Sequence, residues 1–514
     1  MTKAKKIINF LFSRVVIISL CILIQLAWWV FVFFYLTRVS NVVSMLVRAM
    51  GLLIVLWIAN KKMNPSYKLL WTMLILTSPV LGVGIYFLLG ESRVARKMQH
   101  NYEKVLQQEK HLIQENVQTR KELDEKNFDI SNQSRYIRDF SAFPLQEHTE
   151  CEYYKSGEDM FYPLLEALRK AEHFIFLEYF IIGEGVMWSS VLEILEEKAQ
   201  AGVDVRLIFD DWGCITTLPY HFYKELQKKG IQCAAFNPFR PVMNIILNNR
   251  DHRKICVVDG YIGFTGGINL ADEYINRKKR FGYWKDTAIR LKGEGVWNLT
   301  VMFLQMWSVV TRTEVSFANY QPHCYHPQPF EGEGFVQPYC DTPLDNEVVG
   351  ENVYMNMINR ASRYVYICTP YLIIDNEMMT SLCLAAKSGV NVRIITPGIP
   401  DKKIVFLLTQ SYYEQLIEAG VEIYEYQPGF VHAKSFVCDD ELAVIGTINM
   451  DYRSLYLHFE NGVWIYGNHV VYDMKADYLE MLKDCKKIDL EFCRKRSALA
   501  RAFQSILRLM APLI

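Results

Sequence analysis

The feature that most limits how this chain can fold is an array of side chains that occurs twice with the same spacing. His252 is followed by Lys254, Asp259, Gly266 and Asn269, and His432 by Lys434, Asp439, Gly446 and Asn449; both times the offsets from the histidine are two, seven, fourteen and seventeen residues. Lys and Asp are each roughly one residue in sixteen of ordinary composition, so a given His acquires both offsets by chance about once in 250 trials. One such array among eleven histidines would carry little information. Two arrays at corresponding places of a longer repeat mark an internal duplication.

The repeat extends beyond the arrays. An apolar, β-rich run (Phe174, Ile175, Phe176, Leu177, Glu178, Tyr179) has a counterpart in Tyr364, Val365, Tyr366, Ile367, Cys368 and Thr369. Each run leads into a helical stretch and then a buried strand opened by a glycine, at residues 202–206 and 389–393; another helix and another glycine-led strand follow at Gly230 and Gly420. Strands alternating with helices of this length predict βαβ units, hence an α/β fold of two pseudo-symmetric halves, each with a mostly parallel sheet. Inside each array, residues 255–258 and 435–438 read as short strands. Alternation along a strand puts the His and the Lys, two apart, on one face, where both can meet one ligand. Asp259 and Asp439 fall at the turn ending that strand; their expected role is to hold the site together, for example by pairing with a Lys.

Such a site suits a phosphodiester. Its negative charge repels nucleophiles, so fixed cations and donors must neutralise it, and Lys254, Lys434, Asn269 and Asn449 can supply them. Two imidazoles divide the rest: one attacks phosphorus to form a phosphohistidine, while the other protonates the leaving alcohol and later deprotonates the incoming one. This scheme needs no metal and no cofactor, and no phosphate-cradling G-x-x-x-x-G-K-[ST] loop is present.

The N-terminal region is of another kind. Residues 15–36 are almost wholly apolar, with Gln25 the only strongly polar side chain, which is long enough to cross a bilayer. A second apolar segment, 42–59, contains Arg48; a third, 69–89, contains Pro79, Gly82 and Gly84. Lys61, Lys62 and Lys68 precede the third, and Arg93, Arg96 and Lys97 follow it. The positive-inside rule pulls both flanks to the cytoplasm, so either the third segment is re-entrant or the N-terminus lies outside, with two or three spans in total. Residues 1–100 carry twelve Lys and Arg against one acid, Glu91, which leaves 44 basic and 55 acidic groups in the remainder. A basic flank beside apolar segments suits anionic lipid, and a net-acidic body argues against nucleic acid as the substrate. Residues 98–132 are charged and Gln-rich and read as a solvated helical tether. Twelve scattered cysteines without C-x-x-C pairs read as reduced thiols in a cytosol-facing body. Near the C-terminus Leu499, Phe503, Ile506, Leu507 and Met510 form one helical stripe beside several arginines, to be docked on the protein's own core or on a membrane. The aromatic-rich residues 239–247 could likewise dip into lipid or cover the site.

With these residues in view, the chain resembles the phospholipase D superfamily, whose mark is H-x-K followed by four residues and D, present twice; the resemblance covers roughly residues 140–514. The apolar N-terminal region, the run Asn249, Arg250, Asp251, His252, Arg253, Lys254 and the run Gly266, Gly267, Ile268, Asn269 make it similar, within that superfamily, to the bacterial cardiolipin synthases. Asp251 departs from the Asn common there. The resemblance implies phosphatidyl transfer between two phosphatidylglycerol molecules, giving cardiolipin and glycerol. It implies His252 as nucleophile and His432 as general acid, an order the spacing itself leaves open. It further implies an acid downstream of each array that orients its His, Asp286 for the first and Glu460 for the second. The expected organisation is a membrane-anchoring region (1–92), a charged helical linker (93–138) and two phospholipase D-like halves (139–320 and 321–514). The expected setting is a bacterial cell membrane with the body in the cytoplasm, the partners phosphatidylglycerol and membrane lipid, with no nucleic acid and no obligatory protein partner. Rival readings are a membrane-bound phospholipase D that uses water, a nuclease disfavoured by the acidic body, and a silent scaffold disfavoured by two complete arrays.

Overall fold

The computed structural model describes residues 41–89, 93–238, 249–345 and 347–513, with a few positions between 23 and 35. The apolar run 15–36, apart from those positions, and the aromatic-rich run 239–247 lie outside the described residues. The chain divides into two compact units, residues 1–100 with 237–249, and residues 101–236 with 250–514.

In the smaller unit the helix Asn41–Ala59 is followed by Pro65–Thr77 and Pro79–Leu89. The third apolar segment is therefore broken, because Pro79 has no N–H to donate and pushes Ser78 out of helical geometry, to φ −140° and ψ 76°. The second limb runs back along the first. Tyr86, late in the second limb, accepts a hydrogen bond at 3.0 Å from Lys61, which precedes the first. Gly82 makes the approach possible, since a Cβ there would sit 2.6 Å from the Leu74 carbonyl oxygen. Ile58, Trp71, Ile75, Val83 and Tyr86 form the core of this unit, while Leu53, Leu56, Leu69 and Leu76 are exposed. Among the described residues no helix is long and apolar enough to cross a membrane.

The larger unit holds both arrays. Its first half contributes β1 (Thr149–Tyr154), β2 (Phe174–Tyr179), β3 (Asp204–Asp210), β4 (Gln232–Phe236), β5 (Arg250–Asp251), β6 (Lys254–Val258), β7 (Ile262–Gly266), β8 (Tyr283–Lys285) and β9 (Ala288–Gly293). Its second half contributes β10 (Phe335–Asp341), β11 (Tyr364–Cys368), β12 (Leu372–Ile373), β13 (Asn391–Pro397), β14 (Glu422–Tyr426), β15 (Gly429–Val431), β16 (Ser435–Cys438), β17 (Leu442–Gly446), β18 (Met450–Asp451), β19 (His458–Tyr466) and β20 (Cys485–Ile488). The first main sheet runs β1-β9-β7-β6-β2-β3-β4, and the second β10-β19-β17-β16-β11-β13-β14-β20. The duplication is thus real at the level of topology. The helices ahead of β3 and β13 end at Gly202 (φ 92°) and Gly389 (φ 96°), a left-handed conformation that a side chain would strain.

The expectation of mostly parallel sheets is corrected. Only β2-β3-β4 and β11-β13-β14 are parallel; every other pairing along the two main sheets is antiparallel. The physical reason lies at the aspartates of the arrays. Asp259 and Gly260 (φ 50° and 76°) and Asp439 and Asp440 (φ 54° and 68°) form turns with two successive positive φ values, which reverse the chain at once and leave no room for a crossover helix. The charged stretch before the body is not a free tether either. Its helices Val117–Lys126 and Phe128–Ser141 bury Leu123, Ile130 and Ile137. Buried Arg120 is held by Glu115, Ser131 and Ser134, and Gln133 accepts the indole N–H of buried Trp464 at 2.7 Å.

Candidate active site

Each histidine is delivered by a two- or three-residue strand that belongs to the other half's framework. β5 pairs in parallel with β19, Arg250 opposite His458 and Asp251 opposite Phe459. β15 pairs in parallel with β8, Phe430 opposite Trp284 and Val431 opposite Lys285. One step further along each pair, His252 faces Glu460 and His432 faces Asp286. His252 Nδ1 lies 2.9 and 3.0 Å from the two Glu460 carboxylate oxygens, and His432 Nδ1 lies 2.6 Å from Asp286 Oδ2. Both acids predicted to orient the histidines do so, but the pairing crosses over: the acid downstream of the first array holds the second histidine, and the reverse. Sequence order suggested the opposite because it carries no record of which strand docks where.

His252, His432, Asn269 and Asn449 line one cavity of about 350 Å³, walled by Phe180, Trp284, Phe430, Tyr371 and other side chains. With Nδ1 turned to an acid, Nε2 of each imidazole is left for the cavity. Burial pulls the His252 imidazole down to about 3 and the His432 imidazole to about 4. Burial works the other way on the acids, but the facing histidines more than offset it and hold Glu460 and Asp286 below the usual carboxylate range. The resting site is therefore two neutral imidazoles on two carboxylates. Lys254 and Lys434 are buried and donate to the carbonyls of His252 and His432 respectively. Burial lowers Lys254 to about 7 and Lys434 to about 8.

The two aspartates of the arrays meet backbone N–H groups in place of the expected lysines. Asp259 accepts the backbone N–H groups of Glu172, His173 and Phe174, all at 2.8 Å; Asp439 accepts those of Ser362, Arg363 and Tyr364 at 2.6 to 2.9 Å. Among the described residues neither pairs with a Lys, and neither lines the cavity. Each sits at the far end of its strand from the histidine, roughly 23 Å along the chain at ~3.3 Å per residue, and pins the hairpin turn to the start of β2 or β11. The asparagines differ from each other. Asn269 accepts from the Ile181 N–H at 2.9 Å and donates to the Tyr274 hydroxyl at 2.7 Å, whereas Asn449 Oδ1 is buried with no hydrogen-bond partner among the described residues. Arg253, between the His and Lys of the first array, points to the opposite face and is fully buried against Glu178 and Asp251, which accounts for an acid at position 251.

Sequence reasoning missed His458, whose ring centroid is 5.5 Å from that of His252, and Thr447 and Ser454, whose hydroxyls donate to Glu460. It also missed Arg453 at the cavity wall. The only signal was proximity in sequence to Glu460 and Asn449. His252, His458 and Glu460 place three donor atoms within 4.8 Å of one another, the one such group among the described residues. Both Glu460 oxygens already accept hydrogen bonds from His252, Thr447 and Ser454, a poor fit to a resident metal. The C-terminal helix Ala498–Met510 buries only Gln504 and Leu507; Leu499, Phe503, Ile506 and Met510 are exposed, and Ala511 beyond it lines the catalytic cavity.

Two neutral histidines across one cavity, each steered by a carboxylate and flanked by a lysine, define a phosphotransfer site of the phospholipase D type. Known proteins agree. A family model described as cardiolipin synthase, PLD-like domain, matches residues 164–284 and 354–482, and one described as phospholipase D-nuclease N-terminal matches 49–91. A cardiolipin synthase of Geobacillus sp. is 35% identical over 92% of this chain and 93% of its own length. Cardiolipin synthase 2 of Bacillus anthracis is 33% identical over 90% and 89%. An uncharacterized protein of Streptococcus mutans is 44% identical over 90% and 99%. The fold is also that of a phosphatidylserine synthase of Haemophilus influenzae, with TM-score 0.56 and 15% identity over 74% of this chain and 98% of that one. The chain belongs to the cardiolipin synthase family of phospholipase D-like phosphatidyltransferases.

Proposed function

We propose that this protein joins two phosphatidylglycerol molecules into cardiolipin and glycerol through a phosphohistidine. The observation that carries the reading is the pair of crossed His-carboxylate contacts on a single cavity. His252 Nε2 attacks phosphorus, and His432 gives its Nε2 proton to the departing glycerol oxygen. The acceptor's hydroxyl then returns a proton to His432 as its oxygen attacks phosphorus and the P–N bond to His252 breaks. Burial depresses both imidazoles, which suits a nucleophile that must stay neutral. His432 gains its proton with the substrate, since an anionic phosphodiester in the cavity opposes the burial that depresses it. Lys254 and Lys434 offset the negative charge on the transferring group, and phosphoester is exchanged for phosphoester without a nucleotide.

Membrane association follows from the same design, because water must lose to a lipid alcohol. The exposed stripe Leu499, Phe503, Ile506 and Met510 beside the cavity supports contact with the bilayer surface. The hairpin at 65–89 supports the re-entrant alternative, with both basic flanks on the cytoplasmic side. Eleven cysteines among the described residues, all free thiols, support a cytosol-facing body. The test is purified protein in detergent-lipid micelles with phosphatidylglycerol alone, products resolved by mass. Cardiolipin with stoichiometric glycerol upholds the reading; phosphatidic acid in its place makes the protein a hydrolase.

A further inference from the structure

The cavity wall carries charged groups beyond the arrays: Arg250, Arg280, Lys402 and Arg453, with the acids Glu273, Asp401 and Asp451 among them. Lys402 is exposed to solvent. Arg250 has Asp210 at 3.7 Å and Arg280 has Glu273 at 3.2 Å. Arg453 stands apart: it lies on the short helix Tyr452–Tyr456, is only partly exposed, and its guanidinium has no ion pair or hydrogen bond among the described residues. Its charge acts on other members of the same wall, opposing protonation of His458 and of Arg250 and favouring the ionised carboxylate of Asp451. A half-buried guanidinium that makes no hydrogen bond among the described residues leaves its five N–H donors to be satisfied. The ligand that suits a guanidinium is an oxyanion accepting two parallel N–H bonds, a phosphate above all.

We propose that Arg453 is a second phosphate subsite, which holds the phosphodiester of the acceptor lipid while that lipid's hydroxyl attacks the phosphohistidine. The proposal rests on the transfer reaction above and adds how the acceptor is chosen. Arg453 makes and breaks no bond. The acceptor oxygen bonds to phosphorus, the P–N bond to His252 breaks, and the hydroxyl proton passes to His432. Water and neutral alcohols carry no phosphate and gain nothing from Arg453, so it favours a phospholipid acceptor over water at one shared reaction centre. This makes Arg453 a specificity-determining residue.

Two acceptors competing for one phosphohistidine read this directly. Full-length protein in mixed micelles of phosphatidylglycerol and detergent, at a fixed ethanol concentration, partitions product between cardiolipin and phosphatidylethanol, and the ratio is independent of total activity. Arg453→Gln is expected to lower that ratio at least tenfold; Arg453→Lys, which keeps the charge without the planar fork, is expected to lower it about threefold. An unaltered ratio in Arg453→Gln overturns the subsite, as does a Lys variant no better than the Gln one. If Arg453→Gln does not accumulate as folded protein, the Lys variant decides alone: a lowered ratio upholds the subsite and an unaltered one overturns it. Failure of the transfer reading is distinguishable, since wild-type protein would then make phosphatidic acid and no cardiolipin.

Discussion

The two halves reach the same catalytic geometry by different local means. In the site of His252 the acid is Glu460, and its carboxylate also accepts the hydroxyls of Thr447 and Ser454. In the site of His432 the acid is the shorter Asp286, which accepts the Thr287 N–H at 2.9 Å. The residue matching Thr447 there is Gly267, where a Cβ would stand 2.0 Å from Asp286 Oδ1. One half anchors a long acid with hydroxyl donors; the other makes room for a short acid by removing a side chain. Duplication therefore preserved the histidine, lysine and strand pairing while the acid's support diverged, as expected if the halves now perform different steps.

The sharpest way to break this comparison is to remove each histidine. His252→Ala is expected to abolish transfer and leave no covalent phosphoenzyme, whereas His432→Ala slows turnover by about 10²- to 10⁴-fold and still forms the phosphohistidine, seen by mass analysis of intact protein denatured without acid, since acid cleaves the P–N bond. Labelling of the His252 variant would reverse their order. The crossing of acids is tested next. Glu460→Gln, in the second half, should impair the first-half histidine, cutting turnover by about 10⁴-fold through a misoriented imidazole and blocking phosphoenzyme formation; Asp286→Asn should instead leave phosphoenzyme that resolves slowly. The opposite pattern would refute the crossed pairing.

Charge comes third. The Lys254 ammonium, lowered by burial to about 7, is charged below that pH and neutral above it. Its help in neutralising phosphate is thus lost as pH rises, and kcat/KM should fall through pH 7 to 8. Lys254→Arg should flatten that alkaline limb on a lower plateau. The smallest effects belong to the hairpin aspartates. Asp439→Asn should cost about 1–3 kcal/mol of stability near neutral pH, read by chemical denaturation, with little change in kcat of the folded protein. Burial raises the Asp439 carboxyl, but three backbone N–H groups outweigh it and hold the carboxyl below its ordinary value. Its contribution is present above the unfolded pKa and is lost as pH falls through the folded one, so variant and wild type should converge in acid. A kinetic loss comparable to that of the histidine variants would return Asp439 to the reacting centre.

Much of the candidate site was legible in the sequence. Identical offsets made His252, Lys254, His432 and Lys434 stand out. The hairpins were legible too but were passed over: Asp259 followed by Gly260 after an apolar run is a turn signal that forbids a parallel crossover. The role of the aspartates was misjudged because a carboxylate in a motif invites a cationic partner, whereas three backbone N–H groups at a strand start satisfy it as well and leave no mark in sequence. The charged stretch 98–132 misled for a similar reason. Its hydrophilic average hid Arg120, Leu123 and Ile130, buried one turn at a time.

The sequence by itself determined the duplication and the matched spacing of the two arrays, since these follow from local pattern alone. Only the tertiary structure decided which acid meets which histidine, that Gly267 and Thr447 are counterparts with opposite tasks, and that Arg453 lines the cavity of the two histidines. Those facts depend on β5 meeting β19 and β15 meeting β8, contacts between residues roughly 150 to 200 positions apart. Their stability comes from packing two halves together, an energy to which no single stretch of chain contributes a readable sign.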